Sequence, residues 1–120
     1  MESRCSGGWA EQQALQQLEA QGWRLLDRNW SCRWGELDLV LERQQQLLVV
    51  EVKGRRIGRW DRHGLDAFHS SKRRRMARAI SCWRAVHPAS AEQLLRVKLA
   101  LVPLMRSSRT IRWIDVERLC

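Results

Sequence analysis

Gly35-Glu36-Leu37-Asp38-Leu39-Val40-Leu41-Glu42, a polar turn at Arg43–Gln46, and Leu47-Leu48-Val49-Val50-Glu51-Val52-Lys53 spell out the two strands of a β-hairpin. Side chains alternate between the faces of a strand. Leu37, Leu39 and Leu41 therefore share one face, and Glu36, Asp38 and Glu42 the other. On the second strand Leu48, Val50 and Val52 lie together, with Glu51 and Lys53 opposite. A tight turn centred near Gln44–Gln45 sets Leu41 against Leu48, Leu39 against Val50 and Leu37 against Val52. The same register puts Asp38 opposite Glu51 and Glu36 opposite Lys53. A one-residue slip breaks this pattern, while a two-residue slip keeps the faces and changes the partners.

Opposed residues on one face have Cβ atoms ~4.5–5.5 Å apart. Two carboxylates at that spacing repel unless a proton or a cation intervenes. Mg²⁺ or Mn²⁺ suits such a pair, since Mg²⁺ takes one or two carboxylates together with waters and substrate phosphate. An ion held there polarises a phosphoryl oxygen and acidifies a bound water. Lys53, two residues from Glu51, is placed to position that water or to stabilise developing negative charge. The ordinary reading of the same residues is a solvated face, with Glu36–Lys53 an ion pair worth under ~1 kcal/mol.

Outward from the hairpin, Ala10, Ala14, Leu15 and Leu18 follow helical spacing from Trp9 to the stop at Gly22. Glu11 falls on that apolar stripe, directed either past the core to the end of the sheet or occupying the first turn, where acid is favoured. A short strand is predicted around Trp23–Asn29. Gly54–His69 reads as a long loop bearing Arg55, Arg56, Arg59 and Arg62. Ser70–Val86 is a second helix with the stripe Met76, Ala79, Ile80, Trp83, stopped by Pro88. Lys72 stands one turn before Met76 on that stripe, and Arg73, Arg74 and Arg75 crowd the same first turn. Cations there oppose the helix dipole by ~0.3–1 kcal/mol each, an arrangement that fits an anion bound at the N-terminus. Leu94–Pro103 and Thr110–Asp115 are further strands. The order is α-β-β-β-α-β-β, an α/β domain with a mixed four- to five-stranded sheet flanked by helices.

The 120 residues suit one domain spanning 1–120. Lys+Arg 22 against Asp+Glu 13 gives a net charge of +9, which favours a polyanionic partner through counterion release. Only Lys53, Lys72 and Lys98 are lysines among 22 basic residues. Two of these three sit at the proposed site, where a compact ammonium and a planar guanidinium differ in use. No apolar run is long enough for a spanning helix, and Met1-Glu2-Ser3-Arg4-Cys5 lacks the apolar stretch of a signal peptide. Cys5, Cys32, Cys82 and Cys120 show no Cys-x-x-Cys spacing and are read as reduced thiols in a cytoplasmic protein. Trp60, in the arginine-rich loop, is a candidate to stack on a base; His63 and His69 show no ligand spacing.

Gly35-Glu36-Leu37-Asp38-Leu39-Val40, then Val49-Val50-Glu51-Val52-Lys53-Gly54-Arg55, then Lys72, resemble the YraN-like family of small bacterial proteins. That family is similar to the PD-(D/E)XK nucleases and, among them, to archaeal Holliday-junction resolvases. Gly7 through Ala14, with Glu11, matches its opening motif, and Arg28-Asn29 its Arg-Asn; the similarity runs from about Gly7 to Asp115. The resemblance implies a restriction-endonuclease-like core. It implies Asp38 and Glu51 as metal ligands, Lys53 as catalytic lysine, Glu11 as auxiliary acid, and Lys72 as a helix contact near phosphate. One departure stands out. The family's late strand commonly begins Arg-x-Asp, and this chain has Arg96-Val97-Lys98.

The function expected from these readings is metal-dependent endonucleolytic hydrolysis of DNA, with branched or damaged structures as candidate substrates. Arg55, Arg56, Lys72, Arg73, Arg74 and Arg75 are expected to grip the backbone. A catalytically silent nucleic-acid-binding module and a protein-interaction scaffold are the rivals. The sequence leaves the choice of DNA or RNA and the oligomeric state open, a homodimer included.

Overall fold

A computed structural model describes residues 5–55, 70–103, 110–117 and 119. Helix α1 (Cys5–Ala20) leads into strands β1 (Arg24–Cys32), β2 (Gly35–Arg43) and β3 (Gln46–Arg55). Helix α2 (Ser70–Ala85) follows, then a single 3₁₀ turn at Pro88–Ser90, and strands β4 (Leu94–Pro103) and β5 (Arg112–Val116). The five strands form one sheet in the order β1-β2-β3-β4-β5. All neighbours are antiparallel except β3 and β4, which run parallel and are joined through α2. The α-β-β-β-α-β-β order is as predicted. No helix among the described residues is long and apolar enough to cross a membrane.

Local chemistry explains the element ends. After α1, Gly22 adopts φ 94°. Its N–H donates to Glu19 O, and that of Trp23 to Leu18 O. This pair of bonds caps the helix in a conformation that a Cβ disfavours. Between β2 and β3, Gln44 takes φ 48°, and the ladder runs from Arg43↔Gln46 to Leu39↔Val50. That is the register predicted from the hairpin. At the end of α2, Arg84 Nη2 donates to Ser90 O and Gln93 O at 2.8 Å, fastening the 3₁₀ turn beneath the helix.

Both faces of the sheet are covered. Ala10, Ala14, Leu15 and Leu18 of α1 pack on Leu39, Leu41, Leu48, Val50, Ala100 and Val102. Met76, Ala79, Ile80 and Trp83 of α2 pack on Val40, Leu47, Val49, Val97, Leu99 and Leu101. Both predicted helical stripes are therefore the buried ones. One hairpin residue departs from expectation. Leu37 joins the α2 cluster beside Trp30 rather than the face of Leu39 and Leu41. The interruption coincides with Asn29, which has φ 55° between the Arg28↔Leu39 and Trp30↔Leu37 pairs. A left-handed residue there breaks the alternation of an ideal strand. A second irregularity, a register shift between Leu25 and Asp27, turns Asp27 towards α2, where its Oδ2 accepts from Trp83 Nε1 at 3.0 Å.

Candidate functional site

Val49, buried under α2, puts Glu51 on that side of the sheet by strand alternation, and Asp38, beside the interruption at Asn29, lines a cavity there with residues of α2. Beyond the Leu39↔Val50 pair, Val52 N–H donates to Asp38 Oδ2 at 2.8 Å. The carboxylate of β2 thus reaches across to the backbone of β3. Asp38 and Glu51 line one cavity of about 440 Å³, with Arg33 and Trp34 from the β1–β2 turn and Lys72 and Arg75 from α2. The two acids share this cavity, but the paired ladder ends at Leu39↔Val50, so the pairs expected beyond it, Asp38 with Glu51, Leu37 with Val52 and Glu36 with Lys53, are not formed.

The cavity is electrostatically uneven. Burial and the neighbouring Glu51 push the Asp38 carboxyl up to about 7, against the pull of the Val52 hydrogen bond. Glu11 and Glu36 add smaller repulsions. Lys72 Nζ lies 2.7 Å from Glu51 Oε2, so an ammonium already answers one of the two acids. Two crowded carboxylates, one protonated near neutrality and one matched by a lysine, form a site that gains from an added cation.

The other predicted residues divide. Lys53 is exposed, and its β4 neighbour Leu101 packs under α2, which puts Lys53 on the same face as Glu51. It does not line the cavity, and among the described residues its ammonium makes no ion pair. Lys72, not Lys53, is the lysine that touches the acid pair. Of the run after it, Arg75 lines the cavity, Arg74 is exposed, and Arg73 keeps its Nε buried without a hydrogen-bond partner among the described residues. Glu11 lies on α1, on the other side of the sheet, where Arg28 holds it at 3.4 Å. Arg28 also donates to Gln12 Oε1 and Gly8 O, tying β1 to the helix. The Arg55 side chain, Arg56, Trp60, His63 and His69 fall outside the described residues.

Lys98 was the departure from the family pattern. Its β3 neighbour Val50 belongs to the α1 cluster, and Lys98 sits 3.9 Å from Asp115 and over the Trp113 ring. Lys98, where the resemblance leads one to expect an acid, therefore falls on the face away from the cavity.

Sequence reading did not pick out Arg33, Trp34 or Arg78. Arg33 and Trp34 form the two-residue turn closed by the Cys32↔Gly35 pair, with Gly35 at φ 145°. Arg78 extends the spacing Lys72, Arg75 by one further step of three, a ridge on one side of α2 that the sequence displays once the helix is drawn. Cys32 and Cys82 are free thiols. They neighbour each other between β1 and α2, and desolvation together with Cys32 raises the Cys82 thiol.

With this geometry in hand, comparison with known proteins places the chain. The pattern of a family described as the uncharacterised protein family UPF0102 matches residues 10–106. The chain belongs to the UPF0102 family. A UPF0102 protein of Synechococcus sp. (strain CC9902) is 63% identical over 94% of this chain and 93% of its own length. One from Prochlorococcus marinus (strain MIT 9303) is 53% identical over 99% of this chain and 94% of its own. A more distant member, from Myxococcus xanthus (strain DK1622), is 46% identical over 72% of this chain and 68% of its own. Nothing in the family's description assigns it an activity.

Proposed function

We propose that this chain is a metal-dependent nuclease hydrolysing phosphodiester bonds in nucleic acid, DNA in the first instance, in the manner of the PD-(D/E)XK enzymes it resembles. The observation that carries this reading is the pairing of Asp38 and Glu51 in one cavity with Lys72 on Glu51. The donor set fits Mg²⁺ or Mn²⁺. Two carboxylates leave several positions for water and phosphate oxygen. Among the described residues, no group of three His, Cys, Asp or Glu side chains forms the fuller cage that zinc prefers. An ion held by Asp38 and Glu51 supplies a polarised phosphoryl oxygen and an acidified water.

The chain's own residues do the rest. Val52 N–H fixes the Asp38 carboxylate in one orientation. Lys72, with three donors, holds Glu51 with one and has others to offer a non-bridging phosphate oxygen. Lys53, exposed on the same face, is placed to assist the attacking water. Arg75 brings a guanidinium that matches phosphate in two-pronged geometry. The same reading sets the protein in the cytoplasm, where nucleic acid and reduced thiols coexist.

The test is incubation of purified protein with duplex, single-stranded and branched DNA in Mg²⁺ or Mn²⁺, alongside Asp38→Ala and Lys53→Ala. Divalent-dependent cleavage that disappears in Asp38→Ala is the expected result. Cleavage that persists in both variants overturns the enzyme reading. Salt-sensitive binding without cleavage under either ion would leave a silent nucleic-acid-binding module.

A further inference from the structure

Trp34 holds two cations on one ring. The Arg33 guanidinium carbon lies 4.9 Å from the ring centroid and that of Arg78 lies 4.5 Å from it. The two arginines come from different elements, the β1–β2 turn and the third turn of α2, and both are exposed. Among the described residues, neither pairs with a carboxylate, whereas Arg24, Arg28 and Arg96 all do. Like charges drawn to a single ring are favourable to the ring and unfavourable to each other. Two stacked guanidiniums present an anion with forks whose direction is already fixed, so little rotamer freedom remains to be lost on binding.

Their placement points to which anion. Arg33 and Trp34 line the same cavity as Asp38 and Glu51. Lys72, Arg75 and Arg78 succeed one another every three residues along α2, and helical rise separates the first from the last by about 9 Å. One nucleic-acid strand carries a phosphate about every 3.4 Å of helix axis, so the ridge has the axial reach of two to three successive phosphates. Lys72 marks the end beside the acid pair, and Arg78 the far end, where it shares the Trp34 ring with Arg33.

We infer that Arg33, Trp34 and Arg78 form a phosphate clamp that holds the nucleic-acid backbone next to, and outside, the Asp38–Glu51 centre. Arg33 and Arg78 make the phosphate contacts, and Trp34 is the positioning residue that orients both. This rests on the proposed nucleic-acid substrate and adds to it the track that the strand follows away from the scissile phosphate.

Binding without catalysis separates the two ideas. Fluorescence anisotropy of labelled DNA, in EDTA, is titrated from 50 to 200 mM salt for the native protein, Arg33→Gln, Arg78→Gln, Trp34→Phe and Trp34→Leu. Lys98→Gln, on the opposite face of the sheet, controls for net charge. Each arginine variant is expected to lower the slope of log affinity against log salt by about one, with a roughly three- to tenfold loss of affinity at 100 mM. Trp34→Phe, which keeps a π face, stays near the native value; Trp34→Leu loses affinity severalfold while its thermal melt stays close to the native one. Unchanged salt slopes in Arg33→Gln and Arg78→Gln, with native protein binding well, overturn the clamp and leave the nuclease reading standing. So does a loss in Lys98→Gln equal to theirs. Failure of the native protein to bind at 50 mM salt overturns the clamp and the nucleic-acid substrate together.

Discussion

The two faces of the sheet are built from the same strands and put to opposite uses. Under α1, Leu39, Leu41, Leu48 and Val50 close against Ala10, Ala14, Leu15 and Leu18, all with 5% exposure or less. The charges around that face, Arg28 with Glu11 and Lys98 with Asp115, are matched one to one or nearly so. Under α2 the apolar packing of Val40, Leu47 and Val49 stops one strand position short of Asp38 and Glu51. There the sheet gives way to a cavity in which two acids crowd each other and cations collect around them. A face packed for stability has no reason to leave Asp38 titrating near neutrality. The contrast separates the residues that hold the fold from those that the fold holds in place.

The largest effect should come from the acid pair. Asp38→Asn and Glu51→Gln are expected to lower turnover by roughly 10³-fold, about 4 kcal/mol in the barrier, by weakening the hold on the ion. Neither change is expected to destabilise the protein, and melting curves alongside cleavage rates check this. Leu39→Ala, one residue from Asp38 on the other face, is expected to do the reverse. Removing its fully buried side chain should cost about 3 kcal/mol in urea unfolding, with folded protein still cleaving at the native rate. If Leu39→Ala abolishes activity without destabilising, or Asp38→Asn unfolds the protein, the division between the faces is wrong.

Stability should also depend on pH in a direction set by Asp38. Its carboxyl is raised to about 7 in the folded protein from an ordinary value of 3.8. Between those values the folded state binds the proton and the unfolded state does not, so stability is present at low pH and falls as pH rises through 7. The loss from pH 5 to pH 8 attributable to this group is about 2–3 kcal/mol. Asp38→Asn removes it, and so should be more stable than the native protein at pH 8, by a margin that narrows as the pH falls towards 4. Mg²⁺ or Mn²⁺ in place of the proton should restore native stability at pH 8, by about 2.7 kcal/mol at a hundredfold excess over its dissociation constant. Denaturant curves at the two pH values, with and without the ion, read all three expectations. Stability that rises from pH 5 to pH 8 in native protein and not in Asp38→Asn would remove the crowded-acid description.

Much of this was legible in the sequence because alternation and helical stripes are local. The hairpin register followed from matching Leu39 to Val50 and Leu41 to Leu48, and the stripe of α2 from Met76, Ala79, Ile80 and Trp83. Family membership followed from the Gly-Glu-x-Asp-Leu and Glu-Val-Lys motifs. What alternation could not carry were the places where the chain leaves the ideal strand. The left-handed Asn29 sends Leu37 to the other cluster, and the irregularity at Leu25–Asp27 delivers Asp27 to Trp83. Nor could spacing say which lysine touches Glu51, because that depends on where a helix many residues away comes to rest. Arg33 and Arg78 meet on Trp34 for the same reason, and no local pattern joins them.

The smallest expected effect is the one that tests the comparison most narrowly. Lys98 stands where the resemblance drawn from the sequence leads one to expect an acid. In the fold its neighbours are Val50, Trp113 and Asp115, all on or around the α1 face. Lys98→Asp should therefore leave the cleavage rate and the affinity for Mg²⁺ within about twofold of native. It should cost under ~1 kcal/mol of stability, through loss of a partly exposed ion pair and new repulsion from Asp115 on the neighbouring strand. Adding Asp115→Lys to that variant restores an opposite-charge pair and should recover the loss. A gain of tenfold or more in cleavage on Lys98→Asp would mean that an acid at this position reaches the metal centre around the end of the sheet. The two faces would then not be functionally separate.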